Sequence, residues 1–539
     1  MPETGVHAAQ LILLLLLMFV AVFAALARRL QTPYPIVLVI AGLLLGFIPG
    51  IPSITLDPEL IFLVVLPPLL YSAAWFTSWR DFSHNLVSIA MLAVGLVGFT
   101  VFGVAEAGPW LFAGFDWRMG FVLGAAVATT DAIAATSIAK RIGLPKRIVD
   151  LLEGESLLND ATGLLALEFA VAMVVHGQNP TIASGLWRLF YLSFAGIASG
   201  LILARIVEWF EHRIDDGPIE IAVSILVPYA AYLTAEAMHA SGVLAVVAAG
   251  LYLGRKSSQF FSPAVRLQAR AVWDSLTFIL NGFVFVLIGL QLPTVLEGVS
   301  EVHRGRLIVY GAVFSLLLIL LRILWTFPAE SVAYFIRTRL LHQKEKKPEA
   351  RQTFIVGWTG MRGVIALAAA VSLPETVANG SPFPHRDLIV FLTFCVILVT
   401  LVFQGLTLPW LIRMLGVAET SVPKCEEQEA HRLVLEAALG HLEDLRKDDS
   451  PAFAGLYDDL AQQYRHRLAS VEGHSKEHDE VGADNYRRYL DLSRALLEVE
   501  RQTALRLRDE GRVTDELLRE MEHELDLNET RLMAAAKGE

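Results

Sequence analysis

The stretch Leu151-Leu152-Glu153-Gly154-Glu155-Ser156-Leu157-Leu158-Asn159-Asp160-Ala161-Thr162 concentrates polar groups in apolar surroundings. Helical spacing puts Glu155, Ser156, Asn159 and Asp160 at i, i+1, i+4 and i+5, and therefore on one face. A carboxylate, a hydroxyl and an amide carbonyl are hard oxygen donors, which suit a dehydrated alkali cation better than a soft metal. A hydrogen-bonded seam between helices would also use such a face, but seldom needs two carboxylates besides the amide. Two more groups stand out, Ala128-Thr129-Thr130-Asp131-Ala132 and Gly357-Trp358-Thr359-Gly360-Met361-Arg362-Gly363.

The elements that carry these residues are set by composition. Of 539 residues 54% are hydrophobic, and the mean hydropathy is +0.52, too apolar for an ordinary soluble chain. A helix needs about 20 apolar residues to cross about 30 Å of hydrocarbon. Candidate spans lie at 8–28, 35–51, 59–76, 84–106, 119–139, 150–176, 184–210, 218–237, 240–255, 271–292, 306–336, 352–374 and 387–415. The chain thus reads as an all-α polytopic membrane protein with about 13 transmembrane helices. The first run, Gln10 to Ala27, has no basic residues before it and Arg28 and Arg29 after it, so it reads as a retained helix and not as a signal peptide.

One set of alternating loops holds Arg28, Arg29, Arg80, Lys140, Arg141, Lys146, Arg147, Arg213, Arg255, Lys256, Arg266, Arg270 and the basic cluster from Arg337 to Arg351; the other holds only Arg118, Arg188, Arg304, Arg306 and Arg386. The positive-inside rule puts the N-terminus outside, and an odd number of spans brings the C-terminal part into the cytoplasm. Residues 1–417 form the membrane domain, with a net charge of +1. Residues 418–539 carry 17 Lys+Arg and 29 Asp+Glu, a net of −12, with helical patterning over Glu426–Asp444 and Tyr486–Leu507. They read as a cytoplasmic helical tail, either a solvated or dimerising appendage or a regulatory element. Two cysteines, Cys395 and Cys425, give neither a disulfide framework nor a cysteine metal site.

At 1.5 Å per residue Asp160 and Arg362 each lie about 15 Å from the cytoplasmic end of their spans, and Asp131 about 18 Å from the outer end. Ionisable groups at that depth cost several kcal/mol and mark function. The glycines at 357, 360 and 363 suggest an interrupted helix exposing carbonyls and helix-end dipoles, although glycines also serve close packing. Thr129 and Thr130 would bond back to their own helix if it is unbroken. With the seventh span as a linker, spans 1–6 and 8–13 form an inverted repeat in which the fifth and twelfth occupy equivalent positions.

The motifs Leu66-Pro67-Pro68-Leu69-Leu70, Thr130-Asp131, Glu153 through Asp160 and Gly360-Met361-Arg362-Gly363 resemble those of sodium/proton antiporters of the cation:proton antiporter 1 family, across all the candidate spans and excluding the tail. The resemblance implies broken crossing helices in a core domain, a separate dimerisation domain, homodimers and an elevator-like movement. It implies that Asp160 is the shared ion and proton site, that Thr130, Asp131, Ser156 and Asn159 surround the ion, with Asp160, Ser156 and Thr130 as ligands of a monovalent cation, and that Glu155 pairs with Arg362. Two departures stand out. Ser72 occupies a position where many relatives have an acid, and Ala132 replaces a proline, which weakens the sequence case for a break in the fifth helix.

A buried carboxylate favours its neutral form, so a proton and a cation compete for Asp160, and competition at one site gives exchange. The expected activity is electroneutral exchange of Na+ (or Li+ or K+) for H+ across a bacterial inner membrane, a secondary transporter without cofactor. A potassium/proton antiporter or a cation channel remains open on the ligands alone. A membrane-embedded aspartyl enzyme using Asp131 and Asp160 would need neither Glu155 nor Arg362, and no His-Glu-x-x-His zinc motif occurs. Arg322 is expected at a dimer contact or near lipid head groups, and Asp274, Asn281, Glu168 and Gln404 in helix packing or a vestibule.

Overall fold

A computed structural model describes residues 3–48, 57–177, 182–299, 303–343, 347–378, 380–418, 423–448, 453–472, 480–510, 512 and 515–537. It divides into two compact units, Met1–Glu419 and Thr420–Glu539.

The first unit contains α1 (Glu3–Arg29), α2 (Tyr34–Gly46), α3 (Pro58–Phe76), α4 (Trp79–Leu111), α5 (Trp117–Ala126), α6 (Ala132–Ile142), α7 (Lys146–Val175), α8 (Ile182–Glu211), α9 (Gly217–Ala237), α10 (Gly242–Phe260), α11 (Pro263–Gly298), α12 (Arg304–Leu340), α13 (Ala350–Trp358), α14 (Val364–Val371) and α15 (Arg386–Leu415). Among the described residues eight of these helices are long and apolar enough to cross a membrane: α3, α4, α7, α8, α9, α11, α12 and α15. The apolar α2 is shorter. The candidate spans at 119–139 and 352–374 are not continuous helices; each is broken into two, α5 with α6 and α13 with α14.

Packing sorts the helices into two groups. One joins α1 and α2 to α11, α3 to α9 and α10, and α8 to α9 and α10; the other gathers α4, α5, α6, α7, α12, α13, α14 and α15. Within the first group, a Cβ on Gly42 would sit 2.5 Å from the Val286 carbonyl oxygen, so the bare glycine is what lets α2 and α11 touch along their backbones.

Local chemistry explains the irregular turns. In α3 a wide π-type turn over Ile61–Val65 runs into Pro67 and Pro68, which have no N–H to continue the usual ladder. A similar turn in α4, Met91–Leu96, gives its carbonyls to side chains: Met91 O accepts from Trp325 Nε1 at 2.9 Å and Ala93 O from Thr162 Oγ1 at 2.5 Å. That second bond fixes α7 against α4 one turn from Leu158, on the stretch that carries the polar face.

The second unit consists of α16 (Pro423–Asp448), α17 (Ala454–Glu472), α18 (Glu480–Asp509) and α19 (Asp515–Lys537). α16 packs on α17 and α18 on α19, with Arg501 of α18 bonded to Asp526 and Glu529 of α19.

Candidate ion site at two crossing helix breaks

The first break begins where α5 ends at Ala126 and closes at Asp131, whose extended backbone and side-chain Oδ1, accepting from Ile133 N at 2.8 Å, cap α6. An aspartate at this position satisfies an orphan amide at the helix start. The cap accomplishes what the missing proline would have done, so Ala132 does not prevent the break. Thr129 and Thr130 lie in the break, outside any helix.

The second break, Thr359–Gly363, crosses the first, and the Asp131 amide donates to the Met361 carbonyl at 2.9 Å. A Cβ on Gly363 would stand 2.5 Å from Asp131 Oδ2, so this crossing requires glycine. Each break leaves carbonyls at the negative end of a half helix, and an arginine meets each one. Arg362 Nε donates to Val127 O at 2.7 Å and its Nη1 to Gly360 O at 3.0 Å. Arg322 of α12 reaches Val356 O, near the end of α13, through Nε at 3.3 Å and Nη2 at 3.2 Å.

The expected pairing of Glu155 with Arg362 is not what forms. Arg322 Nη1 donates to Glu155 Oε1 at 2.5 Å and Nη2 to Oε2 at 2.8 Å, a two-pronged ion pair with both side chains buried. Arg362 is held by backbone carbonyls instead, and its charge is spent on the end of α5. Arg322 accordingly faces the protein interior rather than lipid. Its place in the middle of an apolar span was the signal, and the sequence had no means of choosing between two arginines at similar depth.

Thr130 Oγ1 donates to Glu155 Oε1 at 3.0 Å, and Asn159 Nδ2 donates to Thr130 Oγ1. Because the threonine proton is committed to the carboxylate, its oxygen is an acceptor towards Asn159, which fixes the amide orientation. Asn159 Oδ1 is thereby left as a buried acceptor without a hydrogen-bond partner, as is Asp160 Oδ1. Ser156 Oγ accepts from Ala132 N at 3.4 Å, tying α7 to the start of α6.

Asp160, Asp131, Ser156 and Thr130 all line one cavity of about 410 Å³, space for on the order of ten waters. Ser72 of α3 and Thr277 and Asn281 of α11 form part of its wall, and Glu153 and Arg270 also border it. The cavity therefore lies between the two helix groups, with the acids on one side and neutral oxygens together with Arg270 on the other. Asn281 is a vestibule group in this arrangement. Glu168 instead pairs with Arg188 at an exposed position, and Gln404 is buried in an irregular turn of α15. Among the described residues no group of three or more His, Cys, Asp and Glu is placed to hold a metal ion; the oxygens at the crossing suit a weakly held alkali cation.

Two broken helices crossing at buried acids, with an arginine on the carbonyl end of each break, define a membrane protein of the ion-transporter class. Residues 14–414 match the family model described as sodium/hydrogen exchanger, transmembrane. An uncharacterized Na(+)/H(+) exchanger of Mycobacterium tuberculosis is 33% identical over all of this chain and 98% of its own. A sodium, potassium, lithium and rubidium/H(+) antiporter of Bacillus pumilus is 33% identical over 82% of this chain and 66% of its own. In fold, the chain resembles the solved sodium proton antiporter of Methanocaldococcus jannaschii, with a TM-score of 0.60 at 20% identity over 77% of this chain and 100% of that one. The chain belongs to the sodium/hydrogen exchanger family, and is a multi-pass membrane protein.

Proposed function

We propose that the chain is a secondary antiporter exchanging a monovalent cation, sodium foremost, for protons at Asp160. The observation that carries this is the pair of unpartnered buried oxygens, Asp160 Oδ1 and Asn159 Oδ1, beside a cavity that Asp160 lines. A buried acceptor without a donor is costly, and either a proton on Asp160 or a cation between the oxygens removes the cost. Asp131 and Ser156 complete the surroundings. The Thr130 hydroxyl orients Asn159 and has one lone pair left for an ion. Asn159 is neutral, so one carboxylate changes occupant, and exchange is electroneutral at one cation per proton.

The helices form thirteen spans in an inverted repeat, with the N-terminus outside and 418–539 a cytoplasmic tail. The group built on α4–α7 and α12–α15 moves against the other group in a homodimer, carrying Asp160 across. The wall provided by α3 and α11 is then the fixed surface past which the site travels. On the charge bias of the loops, the cavity bordered by Glu153 and Arg270 faces the cytoplasm.

The test is pH-dye fluorescence in inside-out vesicles on adding sodium, lithium, potassium and rubidium in turn. Proton movement with sodium is expected; no response to any cation would defeat the proposal, and a rate that follows an imposed voltage would defeat electroneutrality. The Bacillus pumilus relative's name covers four cations, and Ser72 supplies no carboxylate to the cavity, so potassium is the second cation to be tried.

A further inference from the structure

A second pair of carboxylates is buried at the junction of α8 and α9. Glu211 is the last residue of α8 and Glu220 lies in the first turn of α9, 2% and 3% exposed. Their charges interact, and Oε2 of each lacks a hydrogen-bond partner. A third unpartnered group comes from another helix: the hydroxyl of Tyr71, a fully buried residue of α3, has no partner and interacts electrostatically with Glu211.

A chain of contacts runs from the helix that carries Glu220 to Tyr71. Ser224, one turn beyond Glu220, accepts from Trp273 Nε1 at 3.2 Å, and the Trp273 ring centre lies 5.3 Å from that of Tyr71. The neighbours of Tyr71 in sequence, Leu70 and Ser72, line the ion cavity. The cluster and the cavity thus share α3 as a wall.

The surrounding charged groups are directed elsewhere or are acidic. Arg213 turns back over Trp209, its guanidinium carbon 3.8 Å from the ring centre. His212 Nδ1 lies 2.7 Å from Glu208 O. Lys256 of α10 is 3.9 Å from Glu208 Oε1. On α11, Arg266 donates to Phe261 O at 2.8 Å, and Arg270 lies over Phe76 at 5.7 Å. Asp215 and Asp216 add negative potential at Glu220.

Two carboxylates so placed cannot both ionise cheaply. The ends of the helices decide which one keeps a proton. Glu211 sits at the negative C-terminal end of α8, and Glu220 at the positive N-terminal end of α9. The proton belongs on Glu211 and the charge on Glu220.

We propose that Glu211 and Glu220 form a second proton-binding site, separate from Asp160, whose occupancy acts through Tyr71 on α3 and so sets the maximal rate of transport. When the proton leaves, two like charges face each other at the junction of α8 and α9, and the contact with α3 has to change. Only the rate readout rests on the antiport reading.

The test that is independent of transport is infrared difference spectroscopy of the full chain in lipid, in an Asp160→Asn background, titrated from about pH 5 to about pH 9. A protonated-carboxyl band that disappears on alkaline titration, and is missing when Glu211→Gln is added, is expected. Absence of any Glu211-dependent band overturns the site. In vesicles, Glu211→Gln and Glu220→Gln should each change the pH profile of the maximal rate at saturating cation, moving its alkaline limb by about one unit or more, while the pH dependence of KM is retained. Wild-type profiles of maximal rate in both variants overturn the link to transport. If the unmodified protein moves no ions, the antiport reading fails while the infrared titration still decides the proton site.

Discussion

Glu155 and Arg322 meet through two parallel hydrogen bonds, with the same guanidinium also holding the Val356 carbonyl at the end of α13. Glu155 at the same time accepts from Thr130, so a single buried ion pair connects α7, α12 and both crossing breaks. Its oxygens are occupied by the protein, and this distinguishes it from Asp160 one and a half turns further along α7. One acid of the polar face holds the crossing in shape, and the other keeps a buried oxygen without a hydrogen-bond partner, which is the one the proposed exchange uses.

A double-mutant cycle separates the two arginines. Removing one partner of a buried pair costs about 3–5 kcal/mol, so Glu155→Gln and Arg322→Gln should each lower thermal stability strongly, with the double variant much less affected than the sum. Glu155 combined with Arg362→Gln should be nearly additive by comparison. The melting temperature in detergent with lipid is the readout, and a larger coupling to Arg362 than to Arg322 would reverse the assignment.

Gly363→Ala should be worse than its size suggests. The added methyl would stand 2.5 Å from Asp131 Oδ2 and 2.6 Å from its Cβ, and Asp131 is fixed by the Ile133 and Met361 bonds. Overpacking of this kind costs about 1–3 kcal/mol, and the displaced carboxylate should abolish exchange even in protein that still folds. Vesicle transport with normal cation affinity in Gly363→Ala would show that the crossing tolerates a side chain.

Much of this arrangement is legible in the residue types. Charges deep in apolar runs pointed to α7 and to the two breaks because hydrocarbon makes such charges expensive whatever their partners. Partner identity was not legible, since depth along a helix places Arg322 and Arg362 alike and only the lateral packing of α12 distinguishes them. The break at Asp131 was obscured for a related reason. Proline is a local signal, whereas the open backbone between Val127 and Asp131 is held by Met361 and Arg362, more than two hundred residues away. Likewise Ser72, Thr277 and Asn281 are ordinary residues until α3 and α11 are set opposite Asp160.

Ser72→Asp would add an acid to the α3 wall of the cavity, facing a cluster in which Asp131 and Asp160 already interact. An additional anionic oxygen favours a dehydrated cation over water. The expected result is a lower KM for sodium, on the order of severalfold, with thermal stability reduced in the absence of salt and recovered when sodium is added. An unchanged KM together with no salt-dependent stabilisation would mean that α3 does not approach the ion during transport.

The proposed competition at Asp160 makes a distinct prediction about pH. As pH falls the protonated fraction of the carboxylate rises, so cation must displace a proton, and KM should increase towards tenfold for each unit of pH once the protonated form dominates. The maximal rate from this site alone stays constant, because saturating cation drives the proton off. Asp160→Asn removes the titrating group and should give a folded protein with no exchange at any pH, since its oxygen can neither take up nor release a proton. Measuring initial rates against sodium at several pH values in the same vesicles tests both statements. A KM independent of pH, or retained exchange in Asp160→Asn, would place the coupling proton on a different residue.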